Sequence, residues 1–448
     1  MMHDEKIRIQ CVSCELCFQQ DKLGECKHIN GILTPVSECS EADSDAETPV
    51  KPNSSFTHSV INMIGMLIGL GQLSNSYGLE TGGWLSVFLL VGLGVICAYS
   101  ACLLGKCLEK NPELRSYTDI GQRAFGIKGK VIAATFIYIE IFMGLVSYTI
   151  SLHDNLNMVS TGIPFEVPIM DKSKVLTVIA VLVTLPSLWL RNLNSIAFLS
   201  TGGIVMSIVI FITVACIAIF GFVKANHSIP VLHLNKIPQV SGLYIFSYAG
   251  HVIFPDIYKS MKDPTRYTKV AIVSFTAVIS IYTTLAFVGA KMFGPSINSQ
   301  ITLSMPRDIM PTKIALASTV ITPMTKYALQ FAPFALQLDR TLPSTMKSRT
   351  RLIIRSVIGS VILIGILTLA LSVPHFQYVL SLTGSLISIT ICIIFPCFFY
   401  TKICLTEISK PLLFVNAVII AIGFVLSTSG TISSSRSLVN AIRTASHP

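Results

Sequence analysis

Apolar residues in this chain come in runs long enough to cross a bilayer, separated by short polar connections. A hydrocarbon core of about 30 Å needs about 20 residues of helix at 1.5 Å per residue. Eleven stretches fit that description approximately, at 56–78, 84–104, 131–152, 175–190, 196–223, 241–258, 270–293, 312–338, 352–373, 376–400 and 412–430. The fourth is short and the sixth is the least hydrophobic. The pattern predicts an all-α integral membrane protein with about eleven transmembrane helices. It divides into a polar leader over 1–55, a transmembrane domain over 56–430 and a short tail over 431–448 on the side away from the cytosol.

Two of the stretches are written to break. The first runs from Phe56 to Trp84 as FTHSVINMIGMLIGLGQLSNSYGLETGGW. Gly65, Gly69 and Gly71 sit in its middle, and Gln72, Ser74, Asn75 and Ser76 follow where a simple anchor would carry Leu and Ile. Glycine costs about 1 kcal/mol against alanine inside a helix, and backbone that loses its helical partner inside lipid must find another. Gly65 and Gly69 also have the GxxxG spacing of a helix-packing face, but packing leaves the polar residues unexplained. The sixth stretch reads SGLYIFSYAGHVIFPDIY. Gly242 and Gly250 loosen it, Pro255 removes a donor, and Ser247, Tyr248 and His251 put polar groups at its middle. Taken alone it is as consistent with a proline kink. The second lies five spans on from the first, an odd step, so they enter the membrane in opposite directions. That predicts an inverted repeat, spans one to five against six to ten, with broken helices one and six meeting at a site and span eleven as an addition.

Composition and charge narrow the class. Of 448 residues, 52% are hydrophobic and 12% charged, too few for a water-soluble surface. The formal net charge of +10 is dispersed among short loops and forms no stripe, which excludes a nucleic-acid surface and leaves orientation as the use for it. Lys106, Lys110, Arg115, Arg123 and Lys128, then Lys259, Lys262, Arg266 and Lys269, then Arg340, Lys347, Arg349 and Arg351 all fall on one side, against Lys291, Arg307 and Lys313 on the other. The richer side is expected to be cytosolic, and the leader with it. That leader has no apolar core of a signal peptide, and its acidic, Ser-rich second half is expected to be disordered. It holds Cys11, Cys14, Cys17, Cys26 and Cys39 among the twelve cysteines of the chain. The CVSCELC run with His28 has metal-ligand spacing, but no second pair of ligands completes a site, so no metal is expected.

Three titratable residues lie near the middle of apolar spans: Glu140 in the third, His251 in the sixth and Lys326 in the eighth. A charge at such depth costs about 2.5–3.5 kcal/mol on insertion scales, so Glu140 and Lys326 either pair with each other or line a wet cavity. All three are candidates for proton coupling. Lys326 would place a fixed positive charge where a sodium-driven relative holds its ion; it could instead bind a substrate carboxylate.

Several short segments, in order, then become familiar: Gly69-Leu70-Gly71 with Leu73-Ser74, Tyr77 and Gly82-Gly83-Trp84; Tyr117-Thr118-Asp119-Ile120-Gly121 with Ala124-Phe125-Gly126; Gly250-His251 with Phe254-Pro255 and Met261-Lys262-Asp263-Pro264; Met292-Phe293-Gly294 with Ile301-Thr302-Leu303; Pro323-Met324-Thr325-Lys326-Tyr327; and Gly384-Ser385 with Pro396. On these the chain resembles the amino acid/auxin permease family and, within it, the plant vacuolar amino acid transporter branch. The resemblance implies a fold similar to the bacterial leucine transporter, alternating access, a cytosolic N-terminus, and proton-coupled transport of amino acids without a cofactor, commonly at a vacuolar membrane, with the plasma membrane as the alternative. Carried over by position, Gly69, Leu70 and Gly71, with Ser74 beside them, would present amides to the substrate carboxylate. The carbonyls from Phe246 through Ser247 and Tyr248 to Gly250 would receive the ammonium group. The chain departs from the family pattern at Ser76, usually proline, and at Asn75 and Gln72, usually small or aliphatic. The partners implied are an amino acid and the bilayer, with no nucleic acid, and the unit is expected to be a monomer. A sensor that binds amino acid without moving it, and signals through the leader, is the alternative from another class. An open channel fits two broken helices less well, and no GxGD-like acid pair suggests an intramembrane protease.

Orientation has a direct test. Asn226-His227-Ser228 should be glycosylated on translation into microsomes, and Asn53-Ser54-Ser55 should not be. A glycan on Asn53 inverts the topology.

Overall fold

The computed structural model describes residues 53–160, 171–188, 193–341, 346, 348–373 and 375–446; the leader cysteines lie outside them. Apart from one isolated bridge between Ser54 and Met261, the described residues are helices and connections. In order they are α1 (Phe56–Leu67), α2 (Gly71–Gly82), α3 (Ser86–Lys110), α4 (Tyr117–Ser160), α5 (Lys172–Leu188), α6 (Leu193–Ile219), α7 (Ile237–Ser247), α8 (Phe254–Ser260), α9 (Tyr267–Phe293), α10 (Met310–Thr341), α11 (Ser348–Ser372), α12 (Phe376–Thr383), α13 (Phe395–Ile403) and α14 (Lys410–Ser446). A helix or a pair of helices occupies each stretch predicted to span. Seven helices among the described residues are long and apolar enough to cross a membrane, and eight spans result if the bent pair α1 and α2 counts as one.

The boundaries differ from expectation where local chemistry overrides hydropathy. The third element starts at Tyr117, ahead of its apolar run, and turns a corner at Phe125–Gly126, where Gly126 takes a φ of +65°. Its first part carries Arg123 and is not a crossing. The last helix continues past Gly430 to Ser446, and within this extension Ser434 is buried against Ser381, 2.6 Å between hydroxyls.

Pro255 and Gly242 also act differently from their sequence reading. Pro255 lies in the first turn of α8, where a missing N–H costs nothing, so it starts a helix and does not make the break. Gly242 is helical, and its lack of a side chain is used for approach: a Cβ on Gly384 would fall 1.9 Å from the Gly242 carbonyl oxygen, and one on Gly242 would fall 2.1 Å from that of Ser381. Here α7 and α12 touch backbone to backbone.

Between α12 and α13 the chain winds wider. Gly384–Ser388 and Thr390–Ile394 close bonds five residues apart, from the Ile389 amide to the Gly384 carbonyl and from the Phe395 amide to the Thr390 carbonyl. Wide turns and the missing amide of Pro396 release carbonyls inside the core. Neighbouring side chains take them: the Tyr117 hydroxyl donates to Ile391 at 2.6 Å and the Ser100 hydroxyl to Cys392 at 2.6 Å. This segment is central. Of the most apolar stretch in Phe376–Ile403, 78% is buried, against 17% in Lys410–Thr444, so α14 lies on the outside.

Gly384→Ala is expected to destabilise the fold by about 1–3 kcal/mol through overpacking. Gly92→Ala, whose Cβ would meet nothing within 4 Å, should be neutral or stabilise by about 1 kcal/mol. Thermal unfolding of the detergent-purified variants checks the pair.

Candidate functional site

The first break follows from the glycines. The helix α1 ends at Leu67, and Ile68 turns extended (φ −75°, ψ 111°) while its amide still bonds back to Ile64. The chain re-enters helix at Gly71, with α1 and α2 bent by 58°. Two kinds of orphan result. Among the described residues no backbone carbonyl accepts from the amides of Gly69, Leu70 or Gly71; that of Gly69 donates to the Tyr282 hydroxyl, and the N-terminus of α2 presents those of Leu70 and Gly71. At the other side the last carbonyls of α1, those of Leu67 and Ile68, have lost their helical partners. The break forms without a proline: Ser76 lies within α2, and its hydroxyl donates to the Leu285 carbonyl at 2.8 Å.

The second break runs from Ser247 to Phe254. After α7 the amides of Tyr248 and Ala249 bond only three residues back, to Ile245 and Phe246, and the Gly250 carbonyl accepts from Ile253 at 3.1 Å. No backbone amide among the described residues donates to the carbonyls of Tyr248 or Ala249. The two breaks meet. A Cβ on Gly71 would lie 2.4 Å from Ser247 Cα, and the Ser247 hydroxyl donates to the Asn75 side-chain oxygen at 3.0 Å. Residue 71 therefore touches backbone, and a side chain there would force the breaks apart. Around this contact Gly69, Phe246, Ala249 and Gly250 stay half-exposed, while Leu70, Gly71, Ser74, Ser247 and Tyr248 are buried. The Ser74 and Tyr248 hydroxyls, the Asn75 amide nitrogen and the Gln72 side-chain oxygen are buried without a hydrogen-bond partner.

The three titratable residues are kept apart. Lys326 and Glu140 do not form the ion pair that was one of their two expected arrangements. The Lys326 ammonium donates to the Ile68 carbonyl at 2.7 Å, and the Glu140 carboxylate accepts from the Ser388 hydroxyl at 2.9 Å. Lys326 thus sits at the C-terminal end of α1, where the helix dipole favours a cation, and close to Gly69, whose Cβ would lie 3.5 Å from the ammonium. His251 is fully buried. Its Nε2 is 3.1 Å from the Cys97 carbonyl and 2.9 Å from the Ser100 hydroxyl, and its Nδ1 has no partner. A carbonyl only accepts, so the hydrogen-bond pattern assigns the proton to Nε2. Phe254 and Phe275 wall the ring, at 4.7 and 6.2 Å between centroids.

Sequence reasoning missed two tyrosines. The Tyr282 hydroxyl of α9 lies 2.7 Å from the Leu67 carbonyl and 3.0 Å from that of Ser247, one from each break. The Tyr148 hydroxyl of α4 faces Gly69, 3.6 Å from where its Cβ would be. Tyrosine in an apolar run looks like packing, and only the carbonyls it meets reveal otherwise.

With this geometry in hand, comparison with known proteins is informative. A family model described as transmembrane amino acid transporter protein matches residues 52–435. The chain is 52% identical over 426 residues to amino acid transporter AVT1H of Arabidopsis thaliana, spanning 95% of this chain and 97% of that one. It is 34% identical over 412 residues to amino acid transporter AVT1D of the same plant, spanning 91% and 74%. Among solved structures it is similar to a substrate-bound, outward-open sodium-coupled sialic acid symporter, with a TM-score of 0.51, 11% identity, and 85% and 89% of the two chains covered. That likeness concerns the fold alone and agrees with the leucine-transporter-like arrangement that the family resemblance implies. Matched along most of its length by the family model, the chain belongs to the transmembrane amino acid transporter protein family.

Proposed function

We propose that this protein is a proton-coupled secondary transporter that moves amino acids across a vacuolar membrane by alternating access, as a monomer, with its N-terminus in the cytosol and with no cofactor. The observation that carries the reading is the asymmetry of the breaks: the head of α2 offers amides with no backbone partner at Gly69, Leu70 and Gly71, and the second break offers the carbonyls of Tyr248 and Ala249 across a half-exposed gap. A helix N-terminus attracts an anion and unwound carbonyls attract a cation. A zwitterion supplies both. Its carboxylate goes to the amides beside Lys326, and its ammonium group to the carbonyls.

Substrate and ion need separate carriers for coupling. Lys326, already bonded to Ile68, supplies a fixed positive charge, the role a bound cation plays elsewhere. Glu140 is the proton carrier in this reading. Its carboxylate is held by one serine hydroxyl on the widened turns, whereas the Nε2–H of His251 is committed to Cys97 and a second proton, on Nδ1, would find no acceptor. The names of the two plant relatives support amino acids as the cargo.

Proteoliposome transport tests this. Glu140→Gln should lose accumulation driven by an imposed pH difference by at least about tenfold, the scale of one catalytically placed proton carrier, and should retain counterflow exchange of amino acid. Equal loss of both activities would make Glu140 structural. An absence of both in the wild-type protein, with amino acid bound, would favour the sensor.

A further inference from the structure

The carbonyls that end α1 and α7 are not left open, and one side chain accounts for this. Leu67 ends α1 and Ser247 ends α7, in segments far apart in sequence, yet their carbonyl oxygens lie 2.7 and 3.0 Å from the same Tyr282 hydroxyl. Carbonyls from two unwound segments that converge on one point are the donor set with which transporters hold a sodium ion. Here the point is filled by a neutral O–H on α9. Tyr282 is fully buried, and its ring rests against Tyr248, 5.4 Å between centroids. The adjoining Ile68 carbonyl is taken by Lys326.

We propose that the Tyr282 hydroxyl stands in for a monovalent cation at the carbonyls of Leu67 and Ser247, clasping the two breaks so that they form one substrate site without a bound metal ion. A hydroxyl has a single hydrogen, so it serves the two carbonyls jointly and adds no charge to the apolar interior. It is a positioning residue: it acts on the substrate through the backbone on either side. The inference rests on the transport reading above and extends it by assigning what holds the site together.

The test uses the full chain in proteoliposomes, with sodium or choline as the external cation at equal ionic strength. Wild-type uptake should be the same in both. Tyr282→Phe, normalised to folded protein, should raise KM about tenfold in choline, the scale of one net hydrogen bond. Sodium should then restore much of the loss by entering the vacated carbonyl pair. Tyr282→His, which keeps a ring N–H, should show a smaller rise. A purely structural tyrosine would lower the maximal rate with KM unchanged and no ion response, and that overturns the proposal, as does sodium-dependent uptake by the wild type or a raised KM that sodium leaves unaltered. Native-state hydrogen exchange on the wild type at low denaturant gives an answer even if the variants do not fold or uptake itself is absent. The hydrogen-bonded amides beside the breaks, Ile68, Gln72 and Leu73 at the first and Tyr248, Ala249 and Ile253 at the second, should open with one common free energy if clasped, and two separate opening energies overturn the clasp.

Discussion

A peptide group inside an apolar medium cannot be left unpaired, and the two interruptions in this protein are built around that requirement. Breaking α1 from α2 and α7 from α8 exposes carbonyls and amides at mid-depth, each costing about 1–3 kcal/mol if unsatisfied. Three of the carbonyls are matched from outside the broken helices, Ile68 by the ammonium of Lys326 and Leu67 and Ser247 by the hydroxyl of Tyr282, while those of Tyr248 and Ala249 receive no backbone amide. Amides at the head of α2 receive no such match from the backbone. In the proposed reading the protein completes part of its own broken backbone and leaves the amides at the head of α2 and the carbonyls of Tyr248 and Ala249 for a zwitterion, whose negative group goes next to Lys326.

The same logic governs the widened segment after α12. Its released carbonyls at Ile391 and Cys392 are bonded by Tyr117 and Ser100, and Ser100 in turn touches His251. Polar groups that looked scattered along the chain thus form short bridges between spans three, two, six and ten. Cys97, Cys392 and Cys397 lie within this region as buried thiols, small enough to let the backbones approach.

Much of this could be read from the sequence, and the limits have physical causes. Hydropathy located the helices because lipid demands long apolar runs, and glycine clustering located the first break because few other residues tolerate one. The second break was located, but its cause was misread. Pro255 looked like the interruption and proves to be the start of the next helix, since proline harms a helix only where an amide is needed. The residues after Gly430 were read as a short tail beyond the last apolar stretch, yet the helix runs on and Ser434 is buried against Ser381, because a serine pair satisfies itself where a lone serine could not. Glu140 and Lys326 were found by their charge, but not their partners, for a charge in an apolar run says only that some partner exists. Tyr282 was invisible because its function depends on two carbonyls brought together by the fold from Leu67 and Ser247.

One contact governs how movement would travel through this core. Where Gly242 meets Gly384 the main chains of α7 and α12 are in direct touch, with no side chain between them to change rotamer and absorb a shift. A tilt of α7 therefore reaches α12 undiminished, like one gear tooth bearing on another. It arrives at the first residue of the widened turns, the stretch whose loose winding is best able to yield. The glycine pair makes a stiff joint beside a compliant spring, and Ser388, the serine that holds Glu140, lies at the far end of the first coil of that spring.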